Sequence, residues 1–311
     1  MFCFLKKLVF LFVLLFTVIP VAAAETEMNA HQIVINLPSR TLQLYSGTTI
    51  SKEYSVAIGK SGTPTPVGNF YIINKERNPV WIPPGRDYVV ASGPDNPLGY
   101  RWMEFLPLYG IHGTNAPWTI GMAVSNGCVR MREEDAEELF ENVRYGTPIK
   151  ITYDRIKIDI DSKGQTSMGI YPDIYGYKTI TLADVNDKLA EYGCRGFVGE
   201  EFILSIIKEA NGKQVSFARL QDIKVNDTPL SQRAISVGNK TYIPTWAVAT
   251  ACKSNFIWDD KSQLIWKDNV SFHGEVKGDI IYSSLEDIQK LFSLQQVVEQ
   301  DNYLELNTYQ R

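Results

Sequence analysis

Over residues 25–154, apolar and polar positions alternate with a period of two, the pattern of half-buried strands. A β-branched run from Gln32 to Asn36 is followed by a break at Pro38-Ser39-Arg40, then by Leu42-Gln43-Leu44-Tyr45, with Gly47 closing the second segment; this predicts a hairpin. Alternation returns over 53–59 and 69–74, on either side of a turn-rich loop at 59–68. The Pro- and Gly-rich stretch 77–101 predicts a long structured excursion. One helix is predicted, over 133–144, where Ala136, Leu139, Phe140 and Val143 recur at helical spacing. Its acid run, 133–138, is expected to form a solvated face, and acids near its start suit the helix dipole. Gly146-Thr147-Pro148 ends it, and 149–153 reads as a last strand.

Residues 155–174 read as a linker or a bridging strand pair. Beyond them a weak internal repeat is visible: Gly176-Tyr177-Lys178-Thr179, Gly238-Asn239-Lys240-Thr241 and Lys277-Gly278-Asp279-Ile280 each open a short β-like run. Amphipathic stretches follow at 183–192, 246–252 and 285–292, and strand-like segments at 256–258, 264–266 and 304–306. The pattern predicts one α+β domain over 175–311, or two small ones, built on a duplicated strand–helix unit.

The 311 residues carry a net charge of −4 and no Lys/Arg run, which argues against a nucleic-acid partner. The N-terminus changes the picture more. Lys6 and Lys7 precede an almost wholly apolar stretch from Leu8 to Pro20, then Ala22-Ala23-Ala24. A positive start, a short apolar segment and small residues at the end form a secretory signal peptide, residues 1–24. Loss of Lys6 and Lys7 with it would take the net charge to −6. Of the four cysteines, Cys3 lies in this segment, leaving Cys128, Cys194 and Cys252. An odd number in a secreted chain points to a free reactive thiol. Cys194 and Cys252 could pair with each other, or both could be small apolar side chains in the core.

Candidate chemistry concentrates between Tyr109 and Met131. This stretch holds His112, one of only three histidines, and Cys128 in a Gly-flanked turn. Cysteine acyl transfer needs a thiolate, an imidazole that takes and returns the proton, and donors for the oxyanion. A free thiol titrates near about 8.5, so a His partner or a nearby cation must assist. His112 is the candidate base. Gly127 removes a side chain beside the nucleophile, so that backbone N–H groups there could reach an oxyanion. Arg130, two residues on, projects to the same side of an extended chain as Cys128 and could hold a substrate carboxylate. Tyr109, Trp102 and Trp118 are candidates for lining a groove, or for core packing. His31 and His273 are isolated and expected to be silent.

The same residues carry a resemblance. His112-Gly113-Thr114, a gap, then Ser125, Gly127, Cys128, Val129 and Arg130 resemble the signature of the L,D-transpeptidase (YkuD) family. Upstream, Gly59-Lys60, Thr65-Pro66-Val67-Gly68-Asn69-Phe70 and Asn96-Pro97-Leu98-Gly99 extend the likeness, which covers about 31–153. The chain departs from the family at Asn126, where a second His is usual; Asn keeps a hydrogen-bonding side chain but cannot titrate. The resemblance implies a mainly β catalytic domain over 25–154, a YkuD-like β-sandwich with one helix after the catalytic Cys. A linker, 155–174, and the smaller α+β repeat-built C-terminal domain would follow.

The resemblance also implies a reaction. Cys128 would attack the carbonyl of the third residue of a peptidoglycan tetrapeptide stem, with His112 as base, releasing the terminal D-alanine. A neighbouring stem amine would resolve the acyl-enzyme to a 3→3 cross-link, or a free amine would exchange the terminal residue. Gly127, Gly113, Ser125 and Asn126 would form or orient the oxyanion and base environment, the His112 ring being held by a backbone carbonyl such as that of Gly113. Arg130, Trp118 and Tyr109 would contact substrate. Water as acceptor would give an L,D-carboxypeptidase instead.

Val225-Asn226-Asp227, Lys240-Thr241-Tyr242-Ile243-Pro244, Trp246-Ala247-Val248-Ala249 and Trp258-Asp259-Asp260 resemble, more weakly, the copper amine oxidase N-terminal-like domain of secreted wall proteins. No copper or other metal is expected, because no Cys/His spacing offers about three or four converging ligands. No cofactor is expected either. Wall or glycan contact is the role that resemblance implies. Two other readings stand beside the transpeptidase: a wall-binding protein with a decayed site, for which Asn126 argues, and a cysteine endopeptidase, for which no distant Asn or Asp orienting the His can be identified.

Overall fold

The fold is described from a computed structural model, which covers residues 31–83 and 85–308. The expected signal peptide lies outside the described residues. The N-terminal unit is mainly β. Its strands are β1 (His31–Asn36), β2 (Thr41–Ser46), β3 (Thr49–Ser55), β4 (Ile58–Gly59), β5 (Gly68–Tyr71), β6 (Asn74–Arg77), β7 (Arg101–Leu106), β8 (Tyr109–His112), β9 (Ala123–Ser125), β10 (Val129–Arg130) and β11 (Pro148–Thr152). Helix α1 (Glu133–Asn142) follows β10, five residues after Cys128.

Two sheets enclose one core. The first has the order β3-β2-β1-β11-β5 and the second β10-β8-β7-β6, with a small parallel pair β4-β9 beside them. Alternation decides what each sheet buries. Ile33, Ile35, Leu42, Leu44, Ile149 and Ile151 from the first sheet meet Met103, Phe105, Ile111 and Val129 from the second, and Ala136 and Leu139 of α1 close the same cluster. Burying one such aliphatic side chain contributes about 1.5–3 kcal/mol. A slip of one residue in β8 or β10 would therefore be strongly resisted, because it would turn Ile111 or Val129 out of the core.

The acid run of α1 is only partly a solvated face. Glu133 is turned inward, its carboxylate accepting from the Tyr100 amide at 2.7 Å. Glu137 pairs with Arg101 and Glu138 with Lys52. Residues 155–174 are not a free linker: strands β12 (Ile156–Ile160) and β13 (Gln165–Ile170) pair antiparallel and join the C-terminal sheet through β14 (Val215–Val225). The alternating apolar residues Ile156, Ile158, Met168 and Ile170 are what draw them in, since all four are buried there.

The C-terminal part is α+β. One ten-stranded sheet serves two cores, because the long β14 feeds Ala218 and Leu220 into one and Ile223 and Val225 into the other. Helices α2 (Leu182–Glu191) and α3 (Glu200–Glu209) belong to the first core, α4 (Thr245–Ala251) and α5 (Leu285–Phe292) to the second. The strand–helix unit occurs at Lys240–Pro244 with α4 and at Ile280–Ser284 with α5, and the two strands pair with each other. The expected third copy has its helix, capped by Thr181, but residues 176–180 form no strand. Cys194 is buried in the first core and Cys252 packs against the second; both are free thiols, so the alternative of a disulfide between them does not hold.

Candidate active site

The outer face of the sheet β10-β8-β7-β6 forms the floor of a cleft of about 520 Å³. Register assembles that floor. Parallel pairing puts Arg130 opposite His112 and Val129 opposite Ile111. Strands about 4.8 Å apart carry paired side chains to the same face. Val129 and Ile111 therefore enter the core, while Arg130 and His112 line the cleft. Trp102 stands on the other side of His112, and Glu76 beyond it. Cys128, two residues before Arg130, shares its face and also lines the cleft.

His112 is buried, with Nδ1 2.6 Å from the Gly113 carbonyl oxygen. Its ring stacks on the Trp102 indole, centroids 5.6 Å apart. Burial holds its pKa down at about 4; the Gly113 and Leu98 carbonyls oppose that shift and the Arg130 charge adds to it. With Nδ1–H donating to Gly113, Nε2 is the nitrogen left to act as base. Cys128 is half-buried, and its Sγ donates to the Leu108 carbonyl at 3.6 Å. Burial pushes the thiol pKa up, against the Gly110 amide and the Arg130 charge. Near pH 7 the two groups therefore rest as neutral thiol and neutral imidazole.

The loop before Cys128 is closed by Ser125. This buried hydroxyl donates to the Cys128 carbonyl at 2.6 Å and accepts from the Gly127 amide at 3.1 Å. The Gly127 amide is thus engaged inside the loop. Gly127 is required for its positive φ of 117° and because a Cβ would collide with the Tyr109 ring. Tyr109 lines the cleft, as does Asn126, which is exposed. Arg130 lines it too, and its buried Nε has no hydrogen-bond partner among the described residues. Trp118 does not join them. It sits 71% exposed on the surface turn Pro117–Thr119, started by Pro117, outside the residues lining the cleft.

Sequence reasoning missed part of the wall. Trp81, Val80 and Ile82 come from the Pro-rich excursion, where a single bridge between Trp81 and Val90 brings them over the floor. Nothing periodic marks them in the sequence. Leu98 lay within a motif of the resemblance but without an assigned role; its carbonyl proves to face His112.

The YkuD family, the L,D-transpeptidase catalytic domain, matches over residues 30–151. YqjB of Bacillus subtilis, whose name places it among the L,D-transpeptidases, is 36% identical over 128 residues, covering 39% of this chain and 71% of that protein. The chain belongs to the L,D-transpeptidase family. YkuD of Bacillus subtilis is 39% identical over 122 residues, covering 39% of this chain and 65% of that one. YbiS of Escherichia coli, also named as an L,D-transpeptidase, is 34% identical over 153 residues, 45% of this chain and 50% of that one. The chain thus spans between half and about two thirds of the length of several of these relatives. Among solved structures, the catalytic domain of the Enterococcus faecium L,D-transpeptidase is 28% identical, covering 40% of this chain and 98% of that one, with a TM-score of 0.34. All of the cleft residues described above fall inside the L,D-transpeptidase match, and the C-terminal α+β part lies beyond it.

Proposed function

We propose that this chain is an extracytoplasmic L,D-transpeptidase acting on peptidoglycan stem peptides, with Cys128 as nucleophile and His112 as base. The observation that carries the reading is the register of β8 and β10, which sets the one buried histidine and the motif cysteine on one cleft floor. The apolar N-terminal stretch supports export.

In this reading the Sγ–H proton passes to His112 Nε2 as sulfur attacks the carbonyl of the third stem residue. Because both groups start neutral, transfer and attack are coupled, and no standing thiolate is needed. With the Gly127 amide taken by Ser125, the Cys128 amide and the Arg130 charge are assigned to the developing oxyanion. His112 returns the proton to the departing D-alanine amine, leaving a thioester. An amine from a neighbouring stem then attacks, the thiol is regenerated, and a 3→3 cross-link results. The C-terminal part is assigned to wall contact.

The test is incubation of the purified protein with a disaccharide-tetrapeptide carrying a diamino acid at position three, with products read by mass. A dimer lacking one D-alanine is expected from the wild type and is expected to vanish in Cys128→Ala. A monomeric tripeptide alone would replace the reading by an L,D-carboxypeptidase. An unchanged substrate, with Cys128 still open to alkylation, would overturn it in favour of a wall-binding protein.

A further inference from the structure

Glu133 is the first residue of α1, yet its carboxylate does not serve its own helix. It accepts from the amide of Tyr100, the turn residue just before β7, at 2.7 Å, and the Thr114 amide faces it. Two glycines let it in. A Cβ at Gly99 or at Gly113 would collide with this carboxylate, so both backbone segments are packed directly against it. These are the two segments that hold the His112 ring: Gly113 supplies the carbonyl for Nδ1, and Leu98, next to Gly99, supplies the second carbonyl that faces the imidazole. The nearest cation on β7, Arg101, is engaged with Glu137.

We propose that Glu133 is a positioning residue that clamps the Leu98–Tyr100 and Gly113–Thr114 backbone together and thereby fixes the orientation of His112. The inference rests on the reading of His112 and Cys128 as base and nucleophile. A carboxylate suits the task because it has acceptor capacity on both oxygens and the two segments each present a donor amide. A helix-end charge would need neither the reach nor the glycines. Among the described residues no acid contacts the histidine directly, and Glu133 orients it at one remove, through carbonyls of the backbone it grips.

Acylation of the full chain by imipenem, followed as a mass increase on the intact protein, separates the binding constant from the maximal acylation rate. Glu133→Gln keeps the size but turns a donor toward a donor amide. Glu133→Asp keeps the charge at the helix start but falls one methylene short of the two segments. Both are expected to lower the maximal rate about ten- to a hundredfold, the effect of a catalytic group displaced by about 1 Å, with the binding constant and the unfolding midpoint nearly unchanged. Wild-type rates in Glu133→Asp would overturn the clamp in favour of a helix-end charge, and wild-type rates in Glu133→Gln would overturn it outright. A loss confined to the unfolding midpoint would reduce Glu133 to a structural role. His112→Ala, run alongside, isolates the underlying reading: if it acylates as fast as wild type, or if the wild type is not acylated at all, the base assignment fails and the clamp with it.

Discussion

His112 titrates near 6.5 in an unfolded chain and near 4 in the fold, where burial disfavours the imidazolium. Between those values the unfolded chain binds a proton that the folded chain refuses. Stability is therefore fully present above about pH 6.5 and is lost as pH falls toward 4, by about 3 kcal/mol in all. Urea unfolding at pH 7 and pH 4 should show that loss in the wild type, and a correspondingly smaller one in His112→Gln; equal slopes would mean the ring is solvated. Gly127 invites a second substitution. An alanine there must hold a φ of 117° and displace Tyr109, which is expected to cost about 2 kcal/mol and to slow acylation of Cys128. A Gly127→Ala protein with wild-type stability and rate would show the loop to be freer than its geometry implies. The histidine, the cysteine and the glycine were all legible in the sequence from their motif. Glu133 was not, because an acid at the start of an amphipathic helix looks like a solvated, dipole-favoured residue, and only the packing of two distant glycines shows otherwise.

Among the elements, strand register does most of the assembly. Trp102, His112 and Arg130 come from three strands and line up because each partner in the ladder buries its alternate residues. The short β9–β10 turn depends on one hydroxyl, Ser125, which holds both the Gly127 amide and the Cys128 carbonyl. In Ser125→Ala the buried Gly127 amide loses its acceptor, at a cost of about 1–3 kcal/mol. Acylation should slow while the affinity for imipenem stays nearly constant, since both bonds of the hydroxyl are made inside the loop; an affinity loss with an unchanged rate would assign Ser125 to binding instead. The alternation in 32–36, 42–45 and 149–153 announced the strands of the first sheet. The shortest strands of the N-terminal unit, β4, β9 and β10, span only two or three residues. That is too few to show a period, and tertiary contacts alone define them.

At the level of the whole molecule, the segment after the catalytic domain is tied back onto it. Tyr175 donates to the Gly59 carbonyl at 2.7 Å and accepts from the Thr65 amide at 3.2 Å. Gly59 pairs with Ser125 through β4 and β9, so this tyrosine lies two contacts from the Cys128 loop. Asp173 receives the Tyr153 hydroxyl, and Arg155 holds the Tyr171 and Lys178 carbonyls, which fixes the junction. Tyr175→Phe is expected to lower unfolding stability by about 1–3 kcal/mol, because it leaves a backbone donor and acceptor without their partner. An unchanged urea midpoint would show the junction to be held by the ring contacts among Tyr153, Tyr175 and Tyr177 instead.

The sequence by itself determined the strand-rich class of the first half, the place of its one helix, the strand–helix units near 240 and 280, and the candidate pair His112 and Cys128. Those follow from local periodicity and from residue types that only certain chemistry requires. Tertiary structure decided the rest. It drew 156–170 into the C-terminal sheet, split the apolar residues of β14 between two cores, left Trp118 outside the cleft and brought Trp81 into it, and turned Glu133 toward the histidine's backbone. Each of these depends on which surfaces meet across long stretches of chain, and burial between distant segments leaves no period in the sequence of either one.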